Sequence, residues 1–429
     1  MKRILNIIIA LVAFAVIVPS YTANAAQRSS KKVVKTGIDV LESNGFKQLQ
    51  GKKIGLVTNP SGVNNKLVST VDILANAPGV ELVALYGPEH GVRGDIHAGD
   101  KVSDDVDPKT GVPVYSLYGK TRKPTPEMLK DVDAIVYDIQ DNGCRSFTFI
   151  STLGLLMEAA AENGKEVIVL DRPNPLGGNK VEGNIVEPGY FSFVSQFEIP
   201  YLYGLTVGEL AQMLNEEGML KGEKGTNDTI VKCNLTVVPM EGWSRDMVYT
   251  DTKLPWVLPS PHMPQAETSY YYPATGILGE LGYMSIGVGY TLPFQMVAAQ
   301  WINAAEFADA LNALALPGVT FRPINIKPFY SVGKGENMGG VQIYITDYAK
   351  AHLTSIQFYI MQEVARMYPE HEVMANADKG RFRMFDLVSG SNFIREKFTE
   401  TQQYKDIEAY WNKDVESFKK KSAKYYLYK

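Results

Sequence analysis

The 429-residue chain is poor in the residues that carry covalent and metal chemistry. It has two cysteines, Cys144 and Cys233, and five histidines. Two thiols cannot make a disulfide scaffold or a thiolate zinc site, and no bridge is expected between them. Basic excess is also missing. Forty-three Lys and Arg stand against 47 Asp and Glu, a formal charge of −4. Nothing in that balance neutralises a phosphate backbone, so no nucleic-acid partner is expected. The first strand-like segment runs into Asn59-Pro60-Ser61-Gly62 rather than the three-glycine loop that approaches a pyrophosphate. A Walker A loop and a Gly-x-Ser-x-Gly nucleophile elbow are absent too. No cofactor is expected. What remains is ordinary globular composition, 45% apolar and 10% aromatic, in a chain long enough for two domains.

The chain opens with a processing signal. Lys2 and Arg3 precede an apolar run from Ile4 to Val18, and Ala23-Asn24-Ala25 follows Pro19 and Ser20. This pattern predicts a secretory signal peptide over residues 1–25, cleaved after Ala25. The run is shorter than the ~20 residues of a membrane span, and no later stretch is apolar enough to be one. The expectation is a periplasmic or extracellular protein with no stable membrane anchor after cleavage.

Beyond the leader, short apolar runs alternate with helical patterns. Strands are predicted at Lys53–Thr58, Val80–Tyr86, Val112–Leu117, Ala134–Asp138 and Glu166–Leu170. The third, with Pro113, is placed at an edge. Helices are predicted around 67–77 and 152–162, and Thr206 with Glu209 reads as a capping box opening another. Such alternation argues for an α/β fold built on a parallel sheet. The texture changes in the proline-rich stretch after Pro255, with its Tyr270-Tyr271-Tyr272 run. We therefore place a Rossmann-like domain at 33–250 and a smaller α+β domain at 255–429. The second domain is expected to hold helices near 304–315, 353–368 and 404–422 and a strand at 340–346.

An open parallel sheet binds ligands beyond the carboxyl ends of its strands. Here those loops are unusually polar. They carry Asn59 and Ser61, then Glu89, His90, Arg93 and Asp95, then Asp138, Gln140, Asp141 and Arg145, and finally Asp171, Arg172 and Asn174. Several have equally good structural roles: strand-end aspartates cap helices, and nearby arginines pair with them. Glu89 stands out, because it lies between Pro88 and His90-Gly91 just past a buried strand. A carboxyl placed there, where solvation is restricted, is suited to donate a proton. A metal reading gathers Glu89, His90, Asp95, His97 and Asp100, but their spacing matches no helical two-histidine motif.

These motifs together resemble a known family. Gly55-Leu56-Val57-Thr58-Asn59-Pro60-Ser61-Gly62-Val63, Gly87-Pro88-Glu89-His90-Gly91-Val92-Arg93-Gly94, Asp138-Ile139-Gln140-Asp141 with Arg145, and Leu170-Asp171-Arg172-Pro173-Asn174-Pro175 are similar to the NamZ-like exo-β-N-acetylmuramidases. The likeness returns at Pro259-Ser260-Pro261-His262-Met263-Pro264 and Phe385–Ser391. It implies a Rossmann-like catalytic domain, a smaller C-terminal domain, and a cleft that removes N-acetylmuramic acid from the non-reducing end of peptidoglycan fragments. One motif departs from the family. Glu280 is kept, but a second Glu and two Arg become Ile286, Val288 and Leu292, and a further Arg becomes Leu202.

The resulting expectation is an exported glycosidase acting on a peptidoglycan-derived amino sugar or muropeptide. Glu89 is the general acid, His90 and Asp95 orient it, and Glu280 is the candidate second carboxylate. Asn59, Ser61, Arg93, Asp138, Gln140, Asp141, Arg145, Asp171, Arg172 and Asn174 are the candidate sugar-binding residues. Two rival readings are a non-catalytic glycan-binding protein, motivated by the lost charges, and a metal-dependent hydrolase.

Overall fold

The central strands are buried on both sides, as helix-covered parallel strands must be. The structure, a computed structural model, describes residues 33–94, 105–222 and 229–429. The predicted leader therefore lies outside the described residues. The strands are β1 (Lys53–Thr58), β2 (Glu81–Gly87), β3 (Asp105–Val106), β4 (Pro113–Ser116), β5 (Ala134–Asp138) and β6 (Glu166–Leu170). After a two-stranded ribbon, β7 (Val181–Glu182) and β8 (Leu202–Tyr203), comes β9 (Asn234–Val238). The large sheet has the order β3-β4-β2-β1-β5-β6-β9, parallel except for β3. The strand order reverses between β1 and β5, the switch point of a doubly wound fold. The expected α/β class is what the chain adopts. β4 is not the edge, because β3 pairs with it antiparallel and covers it.

Successive strand residues serve opposite faces. Leu56, Val136 and Ile168 pack with Ile38, Leu41, Val71 and Leu74 of helices α1 (Gly37–Ser43) and α2 (Thr70–Ala75). Val57, Ile135, Tyr137 and Val167 pack on the other face with α3 (Phe149–Glu162) and α4 (Val207–Glu216). Thr206 and Glu209 form the anticipated capping box at α4. Gly37 lets α1 start directly against the end of β6, since a Cβ there would lie 2.4 Å from the Asp171 backbone nitrogen.

The remaining chain forms a smaller antiparallel sheet with helices. Helix α5 (Thr268–Gly279) leads to β10 (Met296–Ala299), α6 (Ala304–Ala313), β11 (Val319–Ile326) and β12 (Met338–Ile345), ordered β10-β12-β11. Helices α7 (Ile356–Met367) and α8 (Phe382–Ser389) both contact α5. The expected tail helix is two helices, α9 (Lys405–Trp411) and α10 (Val415–Ser422), parted at Asn412. The last residues return to the parallel sheet. Tyr428 donates its hydroxyl to Asp171 at 2.6 Å and accepts the Met240 N–H at 2.8 Å.

Candidate active site

The switch-point crevice between β1 and β5 is filled by the protein's own polar groups. Asp138 ends β5 with no solvent exposure and receives Arg172 Nε at 2.5 Å and Nη2 at 2.9 Å. Thr70 donates to the same carboxylate at 2.5 Å. Burial is the largest influence and lowers the Arg172 pKa, but the charge and hydrogen bonds of Asp138, with the charges of Tyr249 and Asp39, together outweigh it, and the net shift is upward. Asn59 donates to the Pro259 carbonyl at 3.0 Å and accepts the Ser61 hydroxyl at 2.5 Å. Ser61 in turn accepts the Gln140 N–H at 2.9 Å. Gln140 donates to the Asp141 and Pro173 carbonyls, both at 2.8 Å. Asn174 bridges the Leu205 carbonyl and the Leu176 N–H, each at 2.9 Å.

The neighbouring charges are similarly committed. Asp141 accepts from Gly143 N–H at 3.0 Å and from the Tyr203 hydroxyl, while its Oδ1 has no partner among the described residues. Burial pushes its carboxyl up to about 6. Asp171 is also pushed up to about 6 by burial, against hydrogen bonds from Tyr428, Gly208 and Thr206. Arg145 is fully buried and donates to the carbonyls of Asn184, Ile199 and Val388 at 2.7–3.0 Å and to Ser195 Oγ at 3.2 Å. With burial dominant, its pKa falls to about 10. Arg93 lies in an ion network with Asp107 at 2.8 Å and Asp72 at 3.1 Å.

A cavity of about 440 Å³ opens at the carboxyl ends of β2 and β4. Glu89 and His90 enter it from the turn after β2, Tyr118 and Arg122 from the loop after β4, and Ser146 and Phe147 from the loop before α3. Phe193 completes one side, and Ser260, Tyr272, Met384 and Leu387 close the other. The turn is tight. Gly91 donates to the Pro88 carbonyl at 3.0 Å, and both His90 (φ 75°) and Gly91 (φ 72°) are left-handed. Left-handed backbone is uncommon outside glycine, and such strain collects where function fixes the chain. Here it places the half-buried Glu89 in the cavity wall.

Two tyrosines attend Glu89. Burial raises the Tyr118 phenol, and the Glu89 carboxylate raises it further through charge and hydrogen bonding. Tyr272 is also raised by burial, and the charges of both Glu280 and Glu89 add to the effect. Its hydroxyl lies 3.3 Å from Ser146 Oγ, and its ring meets Phe147 edge-on at 5.7 Å. Glu280, just past α5, is half-buried. Burial raises its pKa and the Arg381 guanidinium pulls it back. His262 lies 2.8 Å from the Tyr330 hydroxyl, and burial followed by the charge of His90 lowers its pKa.

The structure thus gathers Glu89 and His90 on one cavity, with Glu280 near enough to act on the same tyrosine as Glu89. Asp95 lies outside the described residues, as do His97 and Asp100. Among the described residues, no group of three or more His, Cys, Asp and Glu is placed to hold a metal ion. The strand-end residues Asn59, Ser61, Asp138, Gln140, Asp171, Arg172 and Asn174 are tied into hydrogen bonds at the strand ends and are not among the residues that line this cavity. Tyr118, Arg122, Phe193 and Tyr272 were not singled out as site residues from sequence. Tyr272 lies within the tyrosine run, but no local pattern marks Arg122.

The positions where family charges are lost are occupied by packing. Ile286 is buried, and a Cβ on Gly279 would lie 2.4 Å from its Cδ1. Val288 packs on the main core, and Leu292 packs on a small cluster with Met296 and Met338. Leu202 is fully buried in β8.

A half-buried carboxyl flanked by phenols, facing an aromatic cavity, can donate a proton to a bound polyol ether. The chain is similar to known proteins over nearly its whole length. Family models described as the N- and C-terminal parts of the exo-β-N-acetylmuramidase NamZ match residues 54–267 and 270–428. The peptidoglycan β-N-acetylmuramidase NamZ of Bacillus subtilis (strain 168) is 46% identical over 402 residues, covering 94% of this chain and 93% of that one. A crystal structure of a DUF1343 family protein from Bacteroides fragilis NCTC 9343 is similar with a TM-score of 0.87 and 63% identity, covering 92% of this chain and 99% of that one. A second such structure from the same organism has a TM-score of 0.72 at 26% identity, covering 93% and 99%.

Proposed function

The chain belongs to the NamZ family of exo-β-N-acetylmuramidases and is a glycosidase; on that premise we propose that it is exported and uses Glu89 as the general acid. Its substrate in this reading is N-acetylmuramic acid, or a closely related amino sugar, at the non-reducing end of a peptidoglycan fragment. The placement of Glu89 carries the reading. Its carboxyl is held by a strained turn in the wall of a cavity large enough for a sugar, with Tyr118 beside it.

The chemistry is a proton transfer coupled to bond cleavage. Glu89 gives its proton to the glycosidic oxygen while the bond from that oxygen to the anomeric carbon breaks, and the electron pair stays on the departing oxygen. Water then supplies the hydroxyl at the anomeric carbon, and its proton returns to Glu89. Glu280, when ionised, stabilises the positive charge that develops on the sugar ring. The rings of Phe147, Phe193 and Tyr272 offer apolar faces to the sugar.

The apolar run and the Ala23-Asn24-Ala25 site support export. A screen of β-linked amino-sugar glycosides and peptidoglycan fragments, with product analysis, tests the whole reading. Release of N-acetylmuramic acid from the non-reducing end is the expected result. Release of internal fragments, or of no sugar from any of them, overturns it.

A further inference from the structure

Arg122 lies on the same cavity as Glu89. Its guanidinium carbon lies over the Phe193 ring, 4.0 Å from the centroid, and 5.7 Å from the centroid of Tyr118. Among the described residues it has no hydrogen-bond acceptor and no ion-pair partner. The other arginines near this region differ. Arg172 is held by Asp138, Arg145 by carbonyls, and Arg381 and Arg383 by the backbone oxygens of Glu280 and Gly189. Stacking on a ring uses the face of a guanidinium and leaves its N–H edge available. That edge matches a carboxylate bidentately.

We propose that Arg122 reads the lactyl carboxylate of muramic acid, the group that distinguishes this sugar from N-acetylglucosamine. The proposal rests on the glycosidase reading above and adds its source of substrate choice. The lactyl ether leaves the ring at C3, two carbons from the anomeric carbon whose glycosidic oxygen Glu89 protonates. Proton donor and carboxylate reader must therefore share one cavity but stand apart. Tyr118 neighbours both: Glu89 hydrogen-bonds with its phenol, and the Arg122 guanidinium lies 5.7 Å from its ring centroid. The assignment also answers the loss of family charges at Ile286, Val288 and Leu292: those side chains are packing residues here, and Arg122 supplies the cation.

The test compares wild type with Arg122→Gln and Arg122→Lys. The substrates are an aryl β-N-acetylmuramide, its lactyl methylamide, the aryl β-N-acetylglucosaminide, and a muramide whose lactyl group carries a dipeptide ending in a free carboxylate. A charge-assisted pair at a solvent-open mouth predicts a roughly 5- to 50-fold loss of kcat/KM for Arg122→Gln on the free-acid muramide, mostly in KM. No comparable loss is expected on the methylamide or the glucosaminide, and Arg122→Lys should fall in between. Unchanged preference for the free acid over the methylamide overturns the proposal, as does an equal loss on every substrate. A loss confined to the dipeptide substrate overturns it in favour of a stem-peptide carboxylate. Calorimetric titration of free N-acetylmuramic acid and N-acetylglucosamine separates the two readings. Arg122-dependent preference for the acid in a wild type that cleaves nothing removes the glycosidase mechanism and keeps Arg122. Absence of that preference removes Arg122. Unfolding midpoints of the variants check that the fold is intact.

Discussion

Asp138 and Arg172 meet as a two-point ion pair, 2.5 and 2.9 Å long, at the carboxyl end of β5. The pair is 0% and 5% exposed. Removing one partner leaves a buried charge without compensation, which costs about 3–5 kcal/mol. Arg172→Ala and Asp138→Ala should therefore lower the midpoint of denaturant unfolding steeply. Activity at low temperature should follow the folded fraction. A folded Arg172→Ala protein that loses only substrate affinity would instead make Arg172 a sugar ligand.

Asp141 and Asp171 have carboxyls raised to about 6 by burial. A raised acid binds its proton more tightly in the folded state than in the unfolded one. Its contribution to stability is thus full below the ordinary value near 4 and is lost as pH climbs to about 6. Asp141→Asn removes that loss. Relative to wild type, the variant should gain roughly 1–3 kcal/mol between pH 4 and pH 7, read from denaturant melts across that range. A constant difference would show that Asp141 is not held protonated.

The C-terminal tail is anchored by the Tyr428 hydroxyl between Asp171 and the Met240 N–H. Tyr428→Phe leaves the amide unsatisfied and removes one donor from a buried carboxylate. The expected cost is about 1–3 kcal/mol in unfolding free energy, with no change in substrate preference.

Cys144 and Cys233 are buried, and burial pushes both thiols up to about 12. Neither should react with a thiol reagent in the native protein at pH 8, and both should react in denaturant. Native labelling of either would show that its region opens readily.

Much of the fold is legible in the sequence, for a physical reason. Ile54–Val57, Ile135–Tyr137 and Val167–Leu170 are strands buried on both faces, so they read as continuous apolar runs. The missed strands are of another kind. β9 is only half-buried along most of its length, and β11 is buried at only two of its eight positions and carries Arg322 and Pro323, which read as a turn, while β10 is a short buried run of four residues. The convergence of polar groups at one sheet edge is legible as well. What sequence cannot separate is a group that faces the cavity from one that binds its neighbour. Asp138 and Glu89 both sit at or just past the carboxyl end of a buried strand, though the turn around His90 already sets Glu89 apart in the sequence. One is locked to Arg172, and the other is displayed by the left-handed turn at His90 and Gly91. Arg122 comes from the loop after β4 and Tyr272 from helix α5, and only packing brings them to one cavity.

The proton-donor role of Glu89 is tested most directly by the dependence of Glu89→Gln on the leaving group. On a natural β-N-acetylmuramyl sugar linkage, whose leaving oxygen needs a proton, kcat/KM should fall by roughly 10²- to 10⁴-fold. On a dinitrophenyl muramide, whose leaving group departs as an anion, the loss should be far smaller. Equal losses on both substrates, or no loss on either, would contradict the account.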